Sequence, residues 1–161
     1  MQLRRAAISL IIIASLSSLT ACGAGESAAS RNITKVTDGA ETEVVTDTSN
    51  LKIRGMLLVA QPDGSAVLVG TIVNANSTPD SLLGISANNV LATVTTESNV
   101  ISENIPMIFE GDSANAKAVI PGLSVKAGNT VDISFFFETA GIVTVKAIVR
   151  DKRDTYAGVT S

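Results

Sequence analysis

The chain predicts an all-β fold, an antiparallel sandwich or Greek-key barrel. Three observations carry this. From residue 50 onward, short β-branched or alternating apolar runs recur, separated by Gly, Pro, Asn and Asp. No stretch of useful length repeats its apolar residues at helical spacing. The 161 residues are 45% hydrophobic but only 3% aromatic, so the core must be aliphatic. This length fits one domain of ordinary size, and no internal repeat is visible.

Residues 1–21 read as a secretory signal. Arg4 and Arg5 form a positive n-region, and Ala6 to Leu19 an apolar h-region centred on Ile11, Ile12 and Ile13. That run is short and broken by serines, which disfavours a transmembrane span. It ends in Leu19-Thr20-Ala21-Cys22, an aliphatic residue and two small ones before the single cysteine. This matches the bacterial lipobox, whose peptidase needs small side chains before the cleaved bond. The thiol of Cys22 would receive a diacylglyceryl group, and two acyl chains anchor stably where one is marginal. Residues 22–49 are expected to be the lipidated cysteine and a flexible tether. Within them, Glu43 to Thr46 could add an edge strand where the tether meets the domain. The β domain is expected over residues 50–161.

Leu51 to Ala60 begins with Leu51 and Ile53 inward and Lys52 and Arg54 outward. Gly55 breaks the alternation and marks a bulge. Gln61-Pro62-Asp63-Gly64 is a turn, and Ser65 to Val73 supplies the second strand of a hairpin. Residues 74–80 form a loop and Ser81 to Ser86 a short apolar piece. Val90 to Thr96 alternates as one strand. Val100 to Phe109 is poorer, with Pro106 confining any strand to an edge. Residues 110–115 form a polar loop before a short strand from Ala116. Thr130 to Thr139 is the clearest strand: Val131, Ile133, Phe135 and Phe137 share one face. Phe136 lies on the other, either as part of a core strand or as a binding patch. Ala140-Gly141 turns the chain into Ile142 to Val149.

Composition excludes several chemistries. Histidine is absent, which removes Ser-His-Asp and Cys-His machinery and imidazole metal sites. One cysteine permits no disulfide within the chain. Without residues 1–21, ten basic residues face fifteen acidic ones, so there is no electrostatic footprint for nucleic acid. Glu110, Asp112 and Asn115 gather oxygen donors in one loop, but without the spacing of a calcium loop. No catalytic residue, resident metal or cofactor is expected.

Several stretches resemble the periplasmic copper-chaperone family called PCuAC. Asp80 to Ser86 (DSLLGIS) is similar to its D-x-L-[LV]-G-x-S segment. Gly122 to Gly128 (GLSVKAG) is similar to its G-L-x-x-x-x-G turn. Val131 to Val149 resembles its closing hairpin, and with the lipobox and tether the likeness is to LpqE-type actinobacterial lipoproteins. The resemblance implies a cupredoxin-like, Ig-like Greek-key sandwich. It also implies His and Met ligands for Cu(I), soft donors suited to that ion. The corresponding region here, about Pro106 to Gly122, holds Met107 but neither histidine nor a second methionine. Met56 sits in a strand pattern.

The expected function is therefore a non-catalytic, lipid-anchored protein on the extracytoplasmic face of the cell membrane. It would bind an envelope protein or wall component through loops 74–80 and 110–115. The candidate residues are Asn74, Asn76, Asp80, Glu110, Asp112 and Asn115. Degenerate copper or metal handling is the alternative.

Overall fold

The computed structural model describes residues 38–161, and the expected signal segment and Cys22 lie outside them. The described chain is all-β, with eleven strands and one 3-10 turn, Asp154–Tyr156. The strands are β1 (Ala40–Val45), β2 (Asn50–Ala60), β3 (Ala66–Asn74), β4 (Asp80–Ala87), β5 (Val90–Leu91) and β6 (Thr93–Thr96). They continue as β7 (Val100–Ile101), β8 (Met107–Phe109), β9 (Ala116–Ile120), β10 (Thr130–Phe137) and β11 (Ile142–Asp151). Their order in space is β5-β4-β10-β11-β2-β3-β8-β9-β6, with β1 added to β2 and β7 to β4. The two ends of that path, β5 and β6, are separated in sequence by Ala92 alone. The sheet therefore curls until its ends meet, a nearly closed barrel around an aliphatic core.

The β2–β3 hairpin forms as its turn chemistry requires. Gln61 N–H donates to Ser65 O at 2.9 Å, and Gly64, at φ +80°, donates to Gln61 O at 3.1 Å. Asp63 accepts from the Ser65 N–H at 2.9 Å and from its hydroxyl at 2.6 Å. These bonds hold the Asp63 carboxyl below its usual range, the hydroxyl contributing most. A carboxylate with a lowered folded-state pKa contributes stability that is present above its unfolded value and lost as pH falls through the folded one. We expect Ser65→Ala to flatten the pH dependence of the urea midpoint below about pH 4. An unchanged acid limb would count against the Asp63 turn.

Gly55 marks a bulge, as its break in the alternation suggests. Arg54 pairs with Thr71 and Leu57 with Val69, so Gly55 and Met56 together oppose Gly70. Gly55 takes φ +63°, the left-handed conformation that a glycine bulge uses. The extra residue shifts the inward phase. Leu51 and Ile53 enter the main core before the bulge, and Met56 and Leu58 after it. Leu57 and Val59 turn to the opposite face, where Val67 and Val159 cover them.

β10 alternates as expected: Val131, Ile133, Phe135 and Phe137 are buried. It pairs antiparallel with β11 on one side and β4 on the other. Phe136 is half-buried on the outer face, between Gly84 and Ile142.

Three expectations are corrected. Val90 to Thr96 is two strands: β5 pairs with β4, β6 with β9, and the chain changes neighbours at Ala92. β8, just after Pro106, lies between β3 and β9 instead of at an edge; the proline stays outside the strand. The sheet is mixed: β11 runs parallel to β2 through Val149↔Leu58, and β8 meets β9 in parallel at Phe109↔Ala116. Within residues 22–49, where Glu43 to Thr46 could add an edge strand, β1 is zipped to β2 from Val45↔Asn50 to Ala40↔Met56. Arg54 holds it further, donating to Thr42 O at 2.9 Å and pairing with Glu43 at 3.2 Å.

Candidate functional site

The expected binding residues divide by what their side chains touch. Asn74, at the end of β3, is 1% exposed. Its amide donates to Thr78 O at 2.8 Å and to Ile101 O at 3.0 Å, and its oxygen accepts from Asn76 N–H at 2.9 Å. Asn76 in turn accepts from Thr78 N–H at 3.0 Å. Two successive side-chain turns thus fold loop 74–80 onto itself.

Asp80 is 4% exposed. It accepts from Ser81 N–H at 2.7 Å, Thr139 N–H at 2.9 Å and Ala140 N–H at 3.0 Å. The carboxylate ties the start of β4 to the β10–β11 turn. The polar atoms of Asn74 and Asp80, and the side-chain oxygen of Asn76, are engaged in building the fold.

The second loop lies at another place. Asn115 clamps β8 from outside. Its oxygen accepts from Ile108 N–H at 2.8 Å, and its amide donates to Pro106 O at 2.9 Å. Glu110, in the left-handed region at φ +66°, lies 3.8 Å from the Lys117 ammonium. Asp112 is exposed at the loop tip. A shallow recess of about 390 Å³ opens here, lined by Thr95, Glu97, Glu110, Ala114 and Lys117 among others. A smaller one of about 110 Å³ adjoins it, walled by Val100, Ile105, Pro106 and Met107. Thr96, Glu97 and Asn115 border both. Ile105 is 61% exposed and Val100 46%, so an apolar rim stands beside a polar floor. Residues 95–100, which complete this end, were not among the sequence candidates. Thr, Ser and Asn there carry no motif that would single them out.

Met56 is fully buried and Met107 4% exposed, both within the aliphatic core. Among the described residues no three His, Cys, Asp or Glu side chains are grouped to hold a metal. The residues present therefore do not fit the His and Met donor set that the sequence resemblance implied.

The fold is similar to that of PCuAC domains. The apo PCuAC domain of PmoF1 superposes with a TM-score of 0.56 at 19% identity, covering 68% of this chain and 99% of that domain. The copper-bound PCuAC domain of PmoF2 gives 0.55 at 21% identity, covering 68% and 98%. The apo form of the PmoF2 domain gives 0.55 at 18%, covering 71% and 97%. No family model matches the sequence, and no curated protein matches it.

Proposed function

We propose that this protein is a lipid-anchored, non-catalytic binding module of LpqE type, carrying a cupredoxin-like, Ig-like sandwich on the extracytoplasmic face of the cell membrane. Its partner is an envelope protein or wall component. The observation that carries this reading is the recess pair around Thr96 and Glu97, apolar on one side and polar on the other, in a PCuAC-type fold without a histidine. Glu110 and Asn115 border it, and Asp112 is exposed on the same loop. Loop 74–80 supports the domain by its internal hydrogen bonds. Binding surfaces on β folds belong to such loop-built ends.

Anchoring is tested first. Cys22→Ala is expected to move the protein from the membrane to the soluble fraction and to abolish incorporation of labelled palmitate. Continued membrane partitioning of the variant would refute the anchor. Binding is tested with a photo-crosslinking side chain at Ile105 of the membrane-anchored protein. One reproducible adduct, lost with Thr96→Arg, is the expected result, and no adduct would remove the binding reading.

Metal handling has one observation in its favour, the shared fold with a copper-bound domain. Its donors would be Met56 and Met107, both buried. Titration with Cu(I) is expected to show no binding tighter than about micromolar. Stoichiometric binding below that level, lost with Met107→Leu, would favour this reading instead.

A further inference from the structure

One cation serves four carboxylates along the chain that builds the recess pair. From Thr95 to Lys117 these are Glu97, Glu103, Glu110 and Asp112, with Lys117 the single basic residue. Lys117 already lies 3.8 Å from Glu110. Elsewhere five surface acids have a basic partner: Asp38 with Arg150, Glu41 and Glu43 with Arg54, Asp132 with Lys146, and Asp151 with Arg153. Glu97 borders both recesses, is exposed, and makes no ion pair or side-chain hydrogen bond among the described residues. Beside it Val100, Ile105 and Pro106 wall the smaller recess, the first two exposed. The turn that carries Glu97 is held from within. Thr96 Oγ1 donates to Ser98 O at 2.8 Å and accepts from Ser98 N–H at 3.3 Å, and Ser98 Oγ accepts from Val100 N–H at 3.1 Å. Its backbone therefore needs little ordering when a partner arrives.

We infer that the apolar recess is a socket for one long basic side chain, lysine or arginine, on the surface of a partner protein. The inference rests on the binding reading above and names the chemistry of the partner. The methylene stem packs on Val100 and Ile105 while the charged end reaches Glu97, the division such side chains make wherever an apolar surface meets a polar one. Charge complementarity decides among occupants. A purely aliphatic side chain would cover Glu97 and leave its carboxylate with neither water nor a counter-charge. A short cation would meet Glu97 but leave Ile105 in water. An acidic polymer is repelled by four carboxylates that only one ammonium offsets.

The test uses the full-length protein in lipid nanodiscs and a water-soluble carbodiimide, which joins a carboxylate to a neighbouring amine as an amide and takes up the water released. The probe is an acetylated and amidated glycine peptide with one central lysine. Mass-spectrometric mapping is expected to find Glu97 modified about tenfold or more above the exposed carboxylates Asp47 and Glu138. Diaminopropionic acid in place of the lysine keeps the charge on a much shorter stem and is expected to lose that preference, as is the lysine probe against Ile105→Ser. Equal modification of Glu97 and the two control carboxylates, or an undiminished preference with the short amine, overturns the socket. Spermidine that removes the preference at about a hundredth of the peptide concentration overturns it in favour of a free polyamine. In cells, the photo-adduct from position 105 is expected to map beside a lysine or arginine of the partner and to fall about tenfold with Glu97→Lys. An adduct that Glu97→Lys leaves untouched overturns the socket and leaves the binding reading standing. Absence of any adduct from the parent protein removes the binding reading and the socket with it.

Discussion

Gly70→Ala is expected to destabilise the domain by about 3 kcal/mol or more, a large share of the stability of a domain this size. Gly70 faces the bulge in β2, where the side chain of Met56 crosses over it. A Cβ there would lie 2.4 Å from Met56 Sδ and 3.1 Å from both Arg54 O and Met56 Cα. The sulfur could swing away, but Met56 is fully buried among packed neighbours, and the other two contacts are backbone. The backbone adds strain of its own, since Gly70 has φ +145°, a region that side chains rarely enter. Gly84→Ala is the control. Its nearest contact would be Phe136 at an ordinary 3.8 Å, and its φ is not positive. Urea denaturation should separate the two variants clearly. A Gly70→Ala midpoint equal to that of the parent would mean that the β2–β3 bulge is not packed as described.

Asp80→Ala is expected to cost about 2–4 kcal/mol. The change removes one buried carboxylate and strands the N–H groups of Ser81, Thr139 and Ala140. Each hydrogen bond to the charged carboxylate contributes about 1.5–3 kcal/mol at most, less where water can replace it, and they fall together because one side chain served all three. Asp80→Asn keeps one acceptor oxygen and turns an NH₂ toward a donor, so it should recover only part of the loss. Amide exchange at Thr139 and Ala140 should accelerate in both variants, Asp80→Ala the more. If the thermal midpoint stays within experimental scatter for Asp80→Ala, the carboxylate is not what joins β4 to the β10–β11 turn.

What could be read from the residues followed local physics. The alternation in β10 and the Pro62–Gly64 turn are determined within a few residues, and both appear in place. The bulge at Gly55 was legible as a broken alternation, but its partner Gly70 was not, because the Met56 contact arises only when β2 and β3 pair. Val90 to Thr96 looked like one strand because alternation does not record a change of neighbours at Ala92. Asn74 and Asp80 looked like loop surface, since polar residues among turn formers usually are. Backbone N–H and C=O groups from β4, β7 and the β10–β11 turn come to them only in the folded chain. The recess around Thr96 and Glu97 is assembled from three separate segments, and no single one of them has a distinctive pattern.

The shared edge of β2 sets the order in which the barrel can be completed. β1 occupies its first half and β11 its second, and the β11 partners of Leu58, Val59 and Ala60 are Val149, Arg150 and Asp151. Once the chain is free to fold, the β1–β2–β3 meander can form early from near neighbours. The second half of β2 stays open until the last strand arrives, and such distant pairings form slowly. During that interval Leu58 and its neighbours present an unpaired apolar edge, open to holding factors and also to aggregation. Loss of Val149 to Asp151 would make this transient opening permanent.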